Sequence, residues 1–468
     1  MATSLLCKIM PSVLWKHQNG IIRPVTESLN KWKNSQRNSS TIEMEYAVEA
    51  LSSNVKFGRG ATREVGQDCK NLNVKKVCVM TDKKLSKLSP VQITVESIMK
   101  QNISYKVYDR VRVEPTDESF KEAIDFAKEE GFDCFVAVGG GSVIDTCKAA
   151  NLYSSNPDAN LLDYVNVPIG KGLPVTHALR PLIAVTTTPG TGSETTGTAV
   201  FDYLPMKAKT GISNRALRPT LGIVDPDHLI TVPERVAAYS GIDVLCHAIE
   251  SYTAIPFKKR GPRPEDPILR PTYQGSNPIS DIWSLYALKI TSKYLKRAVY
   301  NADDFEAREQ MHLASFFAGV GFGNAGCHLC HGMSYPISGL VRDYREKGYD
   351  QAEPLIPHGL SVVVSAPAVF QFTAPSCPER HLEAAEAIGA DVSRARKEDA
   401  GKVLRDTLLK ILRDIEIPDG LNALGYKTED VPALVKGTMP QHRLIKLSPR
   451  PVCEDDMAGL FEKSMKMY

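Results

Sequence analysis

Cys134-Phe135-Val136-Ala137-Val138 runs without a polar residue into Gly139-Gly140-Gly141-Ser142 and then into a helix-forming stretch. A strand with no polar face must be covered on both sides, which places it inside a parallel sheet layered by helices. Neighbouring runs agree. Lys75–Asp82, Ile103–Tyr108 and Pro181–Thr186 read as further strands, and Ser119–Glu130 has the spacing of an amphipathic helix. Ligands of such a sheet lie beyond the carboxyl ends of its strands. Glycines there let the backbone approach a pyrophosphate, and the first N–H groups of the next helix face the anion. The turn is not G-x-G-x-x-G, because its sixth position is Ile144. A second turn, Thr186-Thr187-Thr188-Pro189-Gly190-Thr191-Gly192-Ser193-Glu194, offers hydroxyls and N–H groups to phosphates or a ribose. Asp82, at a strand end, is placed either to accept from ribose hydroxyls or to cap a helix.

Val200–Val224 has irregular, hairpin-like patterning, and helices dominate after residue 227. We expect helices over Pro233–Ala254, Ile279–Val299, from an Asp303/Asp304 cap through Gly319, and over Leu360–Phe372. Two more are expected between His381 and Ile417, and an exposed loop over Pro256–Pro278. The expected organisation is residues 1–42 outside the fold, an α/β dinucleotide-binding domain over 43–227 and an all-helical metal-binding domain over 228–468.

Asp243 and His247 stand four positions apart and so share one helix face. With His331 and His358, one carboxylate and three imidazoles can enclose a divalent cation and leave positions open for a ligand. Cys327-His328-Leu329-Cys330-His331 also fits a haem-attachment pattern or half of a zinc knuckle. No second close Cys/His pair follows to complete the knuckle, and the glycine-rich Gly319–Gly326 before it makes a haem match accidental.

A net charge of +3 and no basic run with interleaved aromatics argue against a nucleic-acid partner. No uninterrupted apolar stretch is long enough for a membrane span. Ten scattered cysteines fit reduced thiols. Residues 1–42 hold six Lys and Arg but a single acid, Glu27, the composition of a mitochondrial targeting segment.

Together these motifs resemble the iron-containing (group III) alcohol dehydrogenase family from about residue 45 onward. The resemblance implies a dehydroquinate synthase-like architecture, with the site in the cleft between an α/β and an all-α domain. Its glycine turn is Gly139-Gly140-Gly141-Ser142 with Asp145, its threonine turn Thr187-Thr188-Pro189-Gly190-Thr191 with Glu194. Its metal set falls on Asp243, His247, His331 and His358, and its lysine near the cofactor on Lys209. NAD, tightly bound, and Fe²⁺ or Zn²⁺ are the cofactors implied. Two departures point to a changed, anionic substrate. Tyr335 replaces a family histidine and is the candidate proton acceptor. A long insertion before His358 carries Arg342 and Arg345, the candidate carboxylate partners. With its targeting segment, the chain resembles the branch that passes hydride from a hydroxyacid to an oxoacid through bound NAD, in the mitochondrial matrix. The substrates implied are 4-hydroxybutyrate and 2-oxoglutarate, and a homo-oligomer is compatible. The alternatives are a conventional NAD-dependent alcohol dehydrogenase that releases NADH, and a non-catalytic nucleotide-binding protein.

Overall fold

The computed structural model describes residues 43–349 and 353–468, so the targeting expectation lies outside it. Glu45–Arg260 and Pro264–Tyr468 form one compact unit; Glu43, Met44 and Gly261–Arg263 belong to a second, in which the Arg263 N–H donates to the Glu43 carbonyl at 2.8 Å.

The strands are β1 (Asn54–Phe57), β2 (Lys76–Met80), β3 (Ser104–Tyr108), β4 (Cys134–Gly139), β5 (Leu182–Thr186), β6 (Thr198–Tyr203), β7 (Ala208–Ser213) and β8 (Leu221–Val224). Among the described residues, six of them form one sheet in the order β1-β8-β5-β4-β2-β3, with every pairing parallel. All six residues of β4 are buried, as its unbroken apolar run requires. Helix α1 (Asp117–Glu130) is capped by Thr116, and α2 (Gly141–Ser155) follows β4 directly. The register pairs Gly139 with Thr186, so the glycine turn and the threonine turn leave the sheet side by side. A Cβ on Gly140 would lie 2.9 Å from Thr188 Oγ1, and one on Gly141 2.6 Å from Thr191 Cγ2. Glycine is needed there because the two turns touch.

The hairpin expected over Val200–Val224 is half right. β6 and β7 pair antiparallel, but β8 enters the main sheet between β1 and β5. Its four residues are too few for periodicity to reveal an internal strand.

Beyond β8 come α3 (Glu234–Thr253), α4 (Pro278–Tyr300), α5 (Phe305–Ala325), α6 (Leu329–Gly339), α7 (His358–Val363) and α8 (Ala366–Thr373). The single helix expected over Leu360–Phe372 is two, with Pro367 in the first turn of α8, where its missing N–H is tolerated. Asp304 caps α5, accepting from the Ala307 N–H at 3.0 Å. The expected exposed loop is buried over Tyr273–Asn277; Gln274 exchanges hydrogen bonds of 2.9 and 2.8 Å with the Glu49 backbone. From Gly241 to Thr253 every α3 residue is buried. Ile242, Val244, Leu245, Ala248 and Ile249 join the main apolar core, which forces the polar residues between them into the interior too. No helix among the described residues is long and apolar enough to cross a membrane.

Candidate metal centre and nucleotide cleft

Asp243 and His247 lie one turn apart on α3, His331 is on α6 and His358 opens α7. His331 Nε2 is 3.5 Å and His358 Nε2 3.8 Å from Asp243 Oδ1, while His247 Nδ1 is 3.7 Å from Asp243 Oδ2. Donor atoms of Asp243, His331 and His358 all lie within 4.8 Å of one another; so do those of His247, Cys327 and His331. The four expected ligands therefore converge, but as two triads sharing His331, with Cys327 an unexpected neighbour. Asp243 Oδ1, His247 Nδ1 and His331 Nε2 are buried without a hydrogen-bond partner. Buried polar atoms rarely go unpaired, and a divalent cation among these donors would satisfy all three. Burial alone would raise the Asp243 carboxyl, yet the His247, His358 and His331 imidazoles hold it well below the usual range.

Glu250, one further turn along α3, was missed. Its Oε1 accepts the backbone N–H groups of Cys330 at 2.8 Å and His328 at 3.0 Å, at the start of α6. Its Oε2 accepts a hydrogen bond from His331 Nδ1–H. One carboxylate thus caps α6 and fixes the tautomer of its histidine, turning Nε2 toward Asp243. Burial would raise the Glu250 carboxyl; the His331 and His328 contacts outweigh it and lower it to about 2. The signal was faint but present: Asp243, His247 and Glu250 follow i, i+4, i+7 spacing.

His358 is positioned by its neighbour. A Cβ on Gly359 would lie 2.0 Å from the Tyr239 carbonyl of α3. Gly359→Ala is expected to push α7 away from α3, destabilise by about 1–3 kcal/mol and weaken metal retention, read by urea denaturation and metal analysis after dialysis.

A cleft of about 550 Å³ is lined by Asp82, Gly140, Gly141, Ser142, Thr187, Thr188, Thr191, Asp243 and His358 among others. It lies at the carboxyl ends of β2, β4 and β5 and at the N-terminus of α2, the end of a helix that favours an anion. This size and lining fit a dinucleotide. Gly139 is the last residue of β4 and accepts the Thr187 N–H at 3.2 Å, tying the two turns together. Asp82 Oδ1 accepts the Lys84 and Leu85 N–H groups, both at 2.9 Å, so it caps a helical turn while lining the cleft. Asp145 is engaged internally, accepting from Ser193 Oγ at 2.6 Å and from the Val200 N–H at 2.9 Å.

Glu194, at the end of the threonine turn, is buried with Oε2 unpartnered. Burial raises its carboxyl to about 7, against the pull of Lys148. A raised folded-state value makes the stabilising contribution complete below the unfolded carboxyl range. That contribution is lost as pH rises from about 4.5 through about 7. Glu194→Gln is expected to flatten this decline and to raise stability at pH 8 by about 1–3 kcal/mol, measured by denaturation at pH 5 and pH 8.

A smaller inner cavity of about 110 Å³ borders this cleft and is lined by Lys209, His247, Cys327, His331, Tyr335, His358 and Arg443 among others. Lys209 is buried between the Glu114 and Asp202 carboxylates. Tyr335 Oη accepts from Arg443 Nη2 at 2.7 Å. Arg342 does not fit the expectation of a substrate partner: it is exposed and bonded to Asp430. Arg345 is exposed as well, and neither lines the cavity. The insertion instead packs on α3, Glu346 accepting from Tyr239 Oη at 2.5 Å. Arg443 was not anticipated.

The description "Iron-containing alcohol dehydrogenase" matches residues 52–226, and that of the family's C-terminal part matches 272–465. The chain is 64% identical over 424 residues to a mitochondrial hydroxyacid-oxoacid transhydrogenase of Xenopus tropicalis, covering 91% of this chain and 92% of that one. It is 62% identical over 424 residues to the Homo sapiens protein of that name, covering 91% of each. Among solved structures, a 1,3-propanediol oxidoreductase superposes with TM-score 0.77 at 28% identity, covering 90% of this chain and all of that one. An archaeal Red Sea brine pool alcohol dehydrogenase gives 0.78 at 27%, covering 91% of this chain and all of that one. The α/β sheet followed by helices is the fold of these enzymes, and a nicotinamide cofactor and a divalent metal come with it. The chain belongs to the iron-containing alcohol dehydrogenase family.

Proposed function

We propose that the chain is a mitochondrial hydroxyacid-oxoacid transhydrogenase. It oxidises 4-hydroxybutyrate to succinic semialdehyde and passes the hydride to 2-oxoglutarate, giving D-2-hydroxyglutarate, through NAD that stays bound. One observation carries the reading. The nucleotide cleft reaches Asp243 and His358, and the inner cavity lined by His247, His331 and His358 borders it, in a chain 62–64% identical to relatives named for that activity.

Asp243, His247, His331 and His358 are the proposed ligands; three nitrogens and one oxygen suit Fe²⁺ or Zn²⁺. When bound, the cation supplies Lewis acidity to an alcohol or carbonyl oxygen and NAD supplies the hydride acceptor. The chain does the rest. Gly139, Gly140, Gly141, Ser142, Thr187, Thr188 and Thr191 cradle the phosphates and ribose, and Asp82 serves the adenosine ribose. Asp145 acts by tethering Ser193 and β6. Lys209, held between the Glu114 and Asp202 carboxylates, orients the nicotinamide end. The boundary between the α/β and helical domains is placed near residue 228, because among the described residues every strand precedes it. A homo-oligomer belongs to the same reading. Ile279, Ile282 and Tyr286 stand exposed along one face of α4, and the mass in solution checks it.

Tyr335 is the proposed proton-transfer group. A phenol that accepts from a guanidinium keeps its own O–H to donate. Tyr335→Phe is expected to lower kcat about tenfold, the worth of one hydrogen bond to a charged partner; unaltered turnover removes Tyr335 from the chemistry. The deciding experiment for the whole reading mixes purified protein with 4-hydroxybutyrate and 2-oxoglutarate, without added nucleotide. Formation of both products supports it. Stoichiometric release of NADH with 4-hydroxybutyrate and no oxoacid would instead show a conventional dehydrogenase.

A further inference from the structure

Arg443 stands in the short helix His442–Ile445 and lines the inner cavity with Tyr335, His331 and Leu444. Its guanidinium lies over the Tyr273 ring, 4.9 Å from the centroid, and Nη2 is held by Tyr335. Nη1 is shielded from solvent and has no hydrogen-bond partner. Among the described residues no carboxylate pairs with Arg443. Both acids that line the same cavity are engaged elsewhere, Glu114 by Lys209 and Asp145 by Ser193 and the Val200 N–H. A guanidinium cannot shed its charge. Shielded, with a donor unfilled and no counter-ion, it calls for an anion of matching fork geometry.

We propose that Arg443 is the carboxylate anchor of the substrate site. It holds the end of each acid remote from the reacting carbon, with Tyr335 and Tyr273 fixing the plane of the guanidinium. The identity of the acids rests on the transhydrogenase reading; the anchor itself rests on the geometry above. The chemistry of the two substrates supports a shared anchor. In 4-hydroxybutyrate, two methylenes separate the carbinol carbon from the carboxylate carbon. In 2-oxoglutarate, two methylenes separate the ketone carbon from the distal carboxylate carbon. One cation at a fixed distance from the reacting position therefore serves both, which a site alternating between them requires.

Arg443 also borders a cavity that shares no lining residue with the nucleotide cleft. This cavity, of about 340 Å³, shares Tyr273 and Arg443 with the inner one and is lined by Arg215, Arg260, Arg270, His442 and Lys446. The nucleotide cleft shares Glu114, Gly141, Ser142, Thr191 and His358 with the inner cavity, a set that excludes Tyr273 and Arg443. Arg215 and Arg270 there are paired with Glu49 and Glu45; exchange of the acids by way of this cavity, while the nucleotide stays in its cleft, is part of the same proposal.

The test compares Arg443→Met with the parent holoenzyme on 4-hydroxybutyrate and on butane-1,4-diol, the neutral alcohol of the same length. The ratio of kcat/KM for acid over diol is expected to fall about 10- to 100-fold, the worth of hydrogen bonds to a charged group. Glutarate, the diacid without the oxo group, is expected to lose affinity by the same factor in calorimetry. Arg443→Lys keeps a point charge but loses the fork; its losses should fall between, and it carries the test if the Met variant does not fold. Equal losses for acid and diol, or glutarate bound as in the parent, overturn the anchor. NADH release in place of transhydrogenation would overturn the transhydrogenase reading alone, because the acid-to-diol ratio and the glutarate arm still report on Arg443.

Discussion

Asp243→Asn is expected to strip the cation from its site and to lower kcat/KM by about 10³-fold or more, since Lewis-acid stabilisation is worth several kcal/mol and each 1.36 kcal/mol is tenfold. The substitution keeps the volume of the side chain and removes its charge. Asp243 is the carboxylate that faces all three imidazoles, at 3.5 to 3.8 Å. Neutral imidazoles bring no charge to set against a dication. Without metal the effect on stability keeps the same sign. The imidazoles that hold the Asp243 carboxyl below its usual range stabilise the carboxylate in the fold, and an amide loses that attraction. The metal-free variant should therefore unfold at a lower urea concentration than the parent. Added Zn²⁺ at about 100 times its dissociation constant should stabilise the parent by about 2.7 kcal/mol and leave the variant unmoved. A variant that retains metal and turnover would show that the cation is held elsewhere, with the His247, Cys327 and His331 triad the first place to look.

The parts of this site that were legible in the sequence share one property: the chemistry-bearing residue sits next to a strong local pattern. β4 announces itself by its unbroken apolar run, so its glycine turn could be placed at a strand end. Asp243 and His247 are one turn apart on a helix whose boundaries the apolar spacing marks to within a residue or two. The illegible parts depend on pairings that no local pattern encodes. β8 is four residues long, and only its partners β1 and β5 make it an internal strand. Tyr273 lies in a stretch whose prolines and polar residues read as exposed, yet it is 7% exposed because it packs with Phe322 and Tyr335. Arg443 meets Tyr335 across 108 positions of chain. Arg342 and Arg345 were the nearer candidates in sequence, and proximity in sequence misled. Glu250 is the instructive case. A glutamate on a helix is normally a solvated residue. Only the burial of α3 on every side turns it into an interior carboxylate that needs partners.

That need makes Glu250→Gln informative beyond its size. Oε1 of Glu250 is occupied by backbone N–H groups, so a glutamine would keep its oxygen there and turn its amide NH₂ toward His331. An NH₂ donates; it cannot accept from Nδ1–H. His331 would have to present Nδ1 as an acceptor and carry its proton on Nε2, the atom 3.5 Å from Asp243 Oδ1. A protonated Nε2 has no lone pair for a cation. The variant should thus fold, keep the start of α6 capped, and yet bind metal about 10- to 100-fold more weakly, as losses of such supporting carboxylates do. Glu250→Ala differs in kind. It leaves the N–H groups of His328 and Cys330 without their acceptor, in addition to freeing His331, and should cost about 3–5 kcal/mol of stability even without metal. Urea denaturation of the metal-free proteins separates the two variants, and metal titration by calorimetry then isolates the tautomer effect in the glutamine variant. Metal bound by Glu250→Gln as tightly as by the parent would mean that His331 is oriented by its packing against His247, 4.4 Å between ring centroids, and not by the carboxylate behind it.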